Sequence, residues 1–385
     1  MARRQRQAWK ALATGALLAA GCADPSGPGE EPEPPAPYDW KLPAGFPTPR
    51  VPEDNPMSEA KVQLGRRLFY DKRLSLNGTQ SCASCHEQAR AFTDGRVHAV
   101  GSTGQAHRRN GQGLANVAYA TSLTWANSAL TTLESQALVP LFGREPVELG
   151  FADQQEVLLE RLRADTDLAA RFAEAFPGEA TPVSLATLTR ALAAFERSLL
   201  SGTSAYDRYL YGKEVDALSP AAKRGLQLFL SERLECDHCH SGFNFQDATV
   251  HAQTPEPVLP YHNTGLYNED GQGAYPAGDT GLLELTGRPE DMGRFRAPSL
   301  RNVAVTAPYM HDGSMATLSD VLDHYAAGGR ARAANGGQAS PLQSPFVRGF
   351  ELTPDEKADV IAFLESLTDT AFLTDPRFAD PAPAP

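Results

Sequence analysis

The chain is 385 residues long, 41% hydrophobic and 21% charged, which allows two or three domains, each with a sizeable core. A formal charge of −12 excludes a nucleic-acid binder, because neutralising phosphates needs a basic surface. Five cysteines is an odd number for an exported chain, where thiols usually pair, so one of them has a separate task.

The chain opens with a leader. Arg3, Arg4, Arg6 and Lys10 precede the apolar run 11–20 and then Gly21-Cys22. That run is shorter than the roughly 20 apolar residues needed to span a bilayer, so residues 1–22 read as a signal peptide and the protein as periplasmic. A cysteine directly after Leu17-Leu18-Ala19-Ala20-Gly21 resembles a bacterial lipobox, in which Cys22 carries lipid and is the only membrane attachment. Plain secretion is the alternative. Cleavage removes four positive and no negative residues, so the mature charge is −12 − 4 = −16. Residues 23–45 begin with a Pro- and Glu-rich stretch that cannot form a core, and read as an extended tether.

The other four cysteines form Cys82-Ala83-Ser84-Cys85-His86 and Cys236-Asp237-His238-Cys239-His240. Cys-x-x-Cys-His reads as a c-type haem attachment site. Two thiols three residues apart reach the two vinyl groups of one macrocycle, and the following His is placed as the proximal iron ligand. A zinc site would want its Cys pairs about 15–20 residues apart, and disulfides at this spacing would be strained. Two covalent haems are therefore expected, with His86 and His240 on the irons.

The chain also repeats. A helix start at Ser58, then Gly65, Leu68 and Phe69 precede the first motif; Ser219, Gly225, Leu228 and Phe229 precede the second in the same order. A strongly periodic helix ends each half. Leu185, Leu188, Leu192, Phe195 and Leu199 mark one face of the first. Thr353-Pro354-Asp355-Glu356 caps the second, with Ile361, Leu364 and Leu367 as its stripe. The expected fold is mainly α, a tandem of cytochrome c-like domains over 46–205 and 206–385, each with one haem. The Gly- and Pro-rich stretch 252–298 reads as a long ordered loop.

Several further segments carry a family resemblance. Phe92-Thr93-Asp94-Gly95-Arg96, Arg108-Arg109-Asn110, Leu114-Ala115-Asn116, Trp125, Pro298-Ser299-Leu300-Arg301-Asn302 and Thr306-Ala307-Pro308-Tyr309-Met310-His311-Asp312-Gly313 resemble the bacterial di-haem cytochrome c peroxidase and MauG superfamily. The likeness runs from about residue 46 to about 368. It implies that the N-terminal haem, on His86, is high-spin and binds peroxide. Ser102 stands where the peroxidases of the family carry a distal His; His107 could swing in, or lie at the surface or near a propionate. Gln136, Pro140 and Glu148 match the distal pocket, with Glu148 as acid/base and Glu145 as its rival. A carboxyl in an apolar haem pocket is expected to titrate near neutrality.

The resemblance places Tyr325 as sixth ligand of the second, low-spin haem, where the peroxidases have Met; Met310, Met315 and His324 compete with it. A tyrosinate stabilises oxidised iron, whereas a thioether favours the reduced state. Trp125 is implied between the haems as an electron-hopping residue, Arg296 and Arg301 as propionate partners or packing residues, and one calcium ion on Asn110 with the carbonyls of Thr306 and Pro308. Asn116 is an alternative to Asn110. Hard oxygen donors suit Ca²⁺.

The expected function is that of a MauG-like, and within that group MbnH-like, oxidoreductase. It uses hydrogen peroxide to reach a bis-ferryl state and oxidises an aromatic residue, Trp by this resemblance, on a small exported copper-binding partner. The alternatives are a cytochrome c peroxidase served by a small redox protein, and a di-haem electron carrier.

Overall fold

The computed structural model describes residues 38–381; the leader, Cys22 and most of the tether lie outside the described residues. Its frame is two helix pairs. The helix Glu59–Tyr70 starts where the Ser58 hydroxyl accepts from the Lys61 N–H, and Leu185–Ser198 starts at a reciprocal Ser184/Thr187 capping box. They cross at Gly65. A Cβ there would stand 1.9 Å from the Ala191 carbonyl oxygen and 2.9 Å from Phe195 Cβ, so only glycine lets the backbones approach this closely.

The second half repeats the crossing. Pro220–Phe229 is capped by Ser219, and Pro354–Glu365 by Thr353 and Glu356 with Pro354 in the first turn. A Cβ on Gly225 would lie 1.9 Å from the Asp359 carbonyl oxygen and 2.9 Å from Phe363 Cβ. This crossing sets the rotation of the last helix, which buries Asp359, Val360 and Phe363 beside Leu364 and leaves Ile361 half-buried. Asp359 is neutralised by Arg224 through bonds of 2.7 and 2.6 Å.

Each pair is tied by an asparagine. Asn116 and Asn302, both at positive φ, donate their backbone N–H to the carbonyls of Leu199 and Leu367 just past the two closing helices. Their Oδ1 atoms accept from the N–H of Ser201 and Asp369 in turn.

Two apolar clusters follow. Leu68, Phe69, Phe92, Leu192 and Phe195 anchor the first, and Phe372 and Phe378 from the end of the chain pack into it. Phe229, Phe245, Val360 and Phe363 anchor the second. The described residues, 38–381, form one unit. Among the described residues there is no strand, only isolated bridges such as His262 with Phe295. The stretch 252–298, expected as loop, contains a short helix, Leu283–Thr286, and a 3₁₀ turn, Pro289–Asp291. The fold is thus mainly α, with one Cys-x-x-Cys-His motif per helix pair.

Gly65→Ala or Gly225→Ala forces a methyl group into a backbone carbonyl. Overpacking of this kind costs about 1–3 kcal/mol, and the 1.9 Å approach puts both variants at the upper end. Urea unfolding of each holoprotein should show a lower midpoint; an unchanged midpoint refutes the crossing.

Candidate functional site

Both Cys-x-x-Cys-His motifs begin as a 3₁₀ turn, Cys82–Ser84 and Cys236–His238. All four thiols are partly buried, and none is paired in a disulfide. Burial pushes Cys85 up to about 11 and Cys236 up to about 12. The histidines are held alike: Nδ1 of His86 bonds to the Phe92 carbonyl at 2.7 Å, and Nδ1 of His240 to the Phe245 carbonyl at 3.1 Å. Phe92 and Phe245 both have positive φ, an uncommon conformation that turns those carbonyls back toward the rings. A Nδ1–H held on a carbonyl leaves Nε2 unprotonated, the tautomer that binds metal. Burial also lowers the pKa of both rings, keeping them neutral.

Cys236, Cys239, His240 and Tyr325 line one cavity of about 250 Å³. Tyr325 lies in the helix Leu318–Ala326, whose start is a Thr317/Asp320 capping box. Its hydroxyl makes no hydrogen bond to the described residues, and burial raises its pKa. Both His324 nitrogens are engaged, with the Thr264 carbonyl and the Arg330 N–H, and Met315 is packed in the core. Met310 shares the cavity wall.

The same cavity tests the two arginines. Arg296 is buried and bonds only neutral groups, the Thr124 carbonyl at 3.2 Å and Gln112 Oε1 at 2.8 Å. Burial pushes it down to about 10, a loss that Tyr261 and Asp247, neither of them bonded to it, only partly offset. A haem propionate fits that need. Arg301, in contrast, already holds both Asp207 oxygens, at 2.7 and 2.6 Å, beneath the rings of Phe46, Tyr206 and Phe245. Thiols, tautomer-fixed histidine, unpartnered phenol and unpaired guanidinium together fit a covalent haem.

In the first half, Gln136 closes the short helix Leu133–Gln136, and Pro140 lies in Leu138–Phe142. The Pro140 carbonyl accepts from Leu149 at 2.9 Å, which sets Glu148 beside the first haem thiols. Glu145 is exposed, whereas Glu148 is half-buried and pushed up to about 7 by burial. A turn closed by the Val100–Ala106 bridge clamps this segment: Ser102 N–H donates to the Glu148 carbonyl at 2.7 Å, and Val147 N–H to Gln105 Oε1 at 2.7 Å. His107 leaves that turn with Nε2 3.9 Å from Glu148, not at the surface.

Trp125 lies on the cavity wall, its Nε1–H donating to the Asn110 carbonyl at 2.7 Å. Asn110 Nδ2 donates to the Arg96 carbonyl at 2.7 Å, while Oδ1 takes no bond from the described residues. Asn116 spends both ends of its amide on Ser201, at 2.8 Å each. Thr306 and Pro308 line the cavity, and no backbone N–H claims their carbonyls.

Sequence reasoning missed the pair His262 Nε2 to Asp247 Oδ2, at 2.6 Å beside Cys239. Burial opposes the protonated form, but the bond to Asp247 raises the His262 pKa above its ordinary value. The repeat offered a signal: Asp94 and Asp247 each follow the ring-binding Phe carbonyl by two residues.

Two such motifs on paired-helix units define a di-haem c-type oxidoreductase. The family model for di-haem cytochrome c peroxidase matches residues 59–215. Methylamine utilization protein MauG of Methylorubrum extorquens is 33% identical over 341 residues, 88% of this chain and 86% of its own length. Cytochrome-c peroxidase IdrP1 of Denitromonas iodatirespirans is 35% identical over 351 residues, 86% of this chain and 88% of that protein. A solved MauG-like protein associated with microbial copper homeostasis is 53% identical, with a TM-score of 0.85, covering 89% of this chain and 99% of that one. The chain belongs to the di-haem cytochrome c peroxidase and MauG family. Its fold is the tandem cytochrome c-like one, and it is a peroxidase-type oxidoreductase of a family with two c-type haems that works with hydrogen peroxide and a protein partner.

A carboxyl that titrates near 7 gives the first site a pH signature. An ionised carboxylate can take a proton from peroxide and a protonated one cannot, so a Glu148-dependent haem response in stopped flow should rise with pH through about 7 and then level. Glu148→Gln should remove that inflection and slow the response by about 10²-fold or more. An inflection that persists in the variant assigns it to another group.

Proposed function

We propose that this protein is an exported MauG-like enzyme that uses hydrogen peroxide to oxidise an aromatic side chain, tryptophan, of a small copper-binding partner protein. The observation that carries the reading is the unpartnered phenol of Tyr325 in one cavity with Cys236, Cys239 and His240. A hard phenolate in that place favours oxidised iron, which suits storing oxidising power and disfavours accepting electrons from a carrier. The copper link is supported by the 53% identical structure described as associated with copper homeostasis. Export and lipid attachment at Cys22 belong to the same proposal, as does a division into halves over 46–205 and 206–385.

Haem, when bound at the two motifs, supplies the iron at which peroxide is reduced. The residues then divide the work. Glu148 takes a proton from one peroxide oxygen and returns it to the other, so that water leaves, and its titration near 7 suits both transfers. His107 Nε2, 3.9 Å away, stands beyond direct hydrogen-bond reach of it. Gln136 supplies an amide for orientation and Pro140 an apolar wall. His86 and His240 hold Nε2 toward metal because Nδ1 is bound to a carbonyl. Arg296 neutralises a propionate, and Arg301 serves the packing around Asp207. Asn110 Oδ1 with the Thr306 and Pro308 carbonyls offers three oxygens for one Ca²⁺. Trp125 passes electrons between the halves.

Ferric holoprotein should show one high-spin and one low-spin haem by EPR, and Tyr325→Phe should change the low-spin signal alone. Peroxide added with the partner should convert a tryptophan that mass spectrometry can locate. An unaltered low-spin spectrum in Tyr325→Phe removes the ligand assignment. Fast peroxide turnover on a reduced cytochrome, with no change in the partner, identifies a cytochrome c peroxidase instead.

A further inference from the structure

Beside Trp125 stands a third cluster of rings that begins on the cavity wall and extends away from it. His311 is buried, stacked on Phe295 at 3.6 Å, with its centroid 6.5 Å from that of Trp125. From His311 the rings of Tyr275 and Tyr267 lie 6.1 and 6.4 Å away, and the two tyrosines are 5.3 Å apart. Trp125, Tyr275 and Tyr267 are the oxidisable members. Tyr275 is 3% exposed, whereas Tyr267 is half-buried and reaches solvent. The series therefore runs from the cavity wall to the surface.

The two tyrosines differ in their hydroxyl partners. Removing an electron from a phenol makes its proton strongly acidic, so a lasting oxidised tyrosine needs a base within hydrogen-bond reach. Tyr275 donates to the Asn263 amide oxygen at 3.0 Å and accepts from Leu266 N–H, neither of which takes a proton. Tyr267 donates to Asp312 Oδ2 at 2.6 Å. Burial opposes ionisation of Asp312, but the bonds from Tyr267 and Ser314 outweigh it and hold its pKa below the usual carboxylate value. Arg330 sits 4.8 Å over the Tyr267 ring and 3.7 Å from Asp312. A cation there disfavours a charged ring but not a neutral phenoxyl, so transfer of the proton to Asp312 is what permits oxidation.

The geometry points to Tyr267, with Asp312 as its proton acceptor, as the surface relay through which oxidising equivalents from the haem sites reach an external macromolecular donor. In each passage Tyr267 gives one electron inward, by way of the ring cluster, and its phenolic proton to Asp312. The neutral phenoxyl then takes one electron from the donor and the proton back from Asp312. Tyrosine is restored, the donor is oxidised by one electron, and two passages match the two electrons of one peroxide. This rests on the peroxide-driven reading above and adds the place where electrons enter.

The test uses the holoprotein with one equivalent of peroxide, first alone and then with ferrocytochrome c as a donor too large to enter a haem pocket. Freeze-quenched EPR of the wild type should show a tyrosyl signal that Tyr267→Phe abolishes and Asp312→Asn lowers at least fivefold. Both variants should oxidise the donor at least tenfold more slowly, with the optical response of the haems to peroxide unchanged. A normal optical response with unaltered donor oxidation in both variants overturns the relay alone. A wild-type protein whose spectrum does not respond to peroxide overturns the peroxide reading and the relay together.

Discussion

The close crossing of two helices at a glycine is the constraint on which the rest of this structure depends. At Gly65 and again at Gly225 a carbonyl of the closing helix occupies the space that a Cβ would need. Because the backbones touch, the aromatic residues one turn further on, Phe195 and Phe363, are forced into the cores that back the haem motifs. The asparagine ties then bring the segments 110–116 and 296–302 over the same cores. Those segments carry Gln112, Trp125's acceptor and Arg296, so the helix crossing determines where the groups between the sites stand.

Given one scaffold used twice, the chemistry lies in where the halves differ. Leu199 and Leu367 occupy equivalent places, a shift of 367 − 199 = 168, so Glu196 corresponds to Leu364. Leu364 lines the second cavity, whereas Glu196 is buried and pushed up to about 8 by that burial. With Glu148 near 7, the first half carries two carboxyls that hold or exchange protons at neutral pH. The second half offers Tyr325 and Met310 on its cavity wall, with His262 and Arg296 among its polar groups. The first half thus sets two carboxyls raised toward neutrality beside its motif, whereas the second cavity's titratable wall groups, His262 and His311, are tied to Asp247 and Asp279.

What could be read from the chain followed the range of the interaction. Cys-x-x-Cys-His is legible because thioether reach sets its spacing, and the helix pairs because capping and periodicity are local. The rotation of the last helix was less so: Ile361 was expected on the buried face, but the approach at Gly225 turns Asp359 and Phe363 inward. Arg296 and Arg301 look alike in sequence; they part only because Asp207, 94 residues before Arg301, claims one of them. His107 needed the clamp between its turn and the Glu148 segment, and the packing of Phe372 and Phe378 into the first core leaves no local trace. Tyr267 and Asp312, 45 residues apart, meet through the folding of a stretch that reads as loop.

Arg296 shows how haem and fold depend on each other. A buried guanidinium bonded to an amide and a carbonyl is costly without an anion, because hydrogen bonds from neutral groups only partly replace water around a charge. Its backbone N–H also holds the Trp125 carbonyl at 2.8 Å, so the same residue fixes the main chain of Trp125 on the cavity wall. A propionate beside Arg296 would therefore stabilise both the charge and the placement of Trp125. Filling of the second haem site and the placement of the Trp125 segment are thereby coupled through one residue.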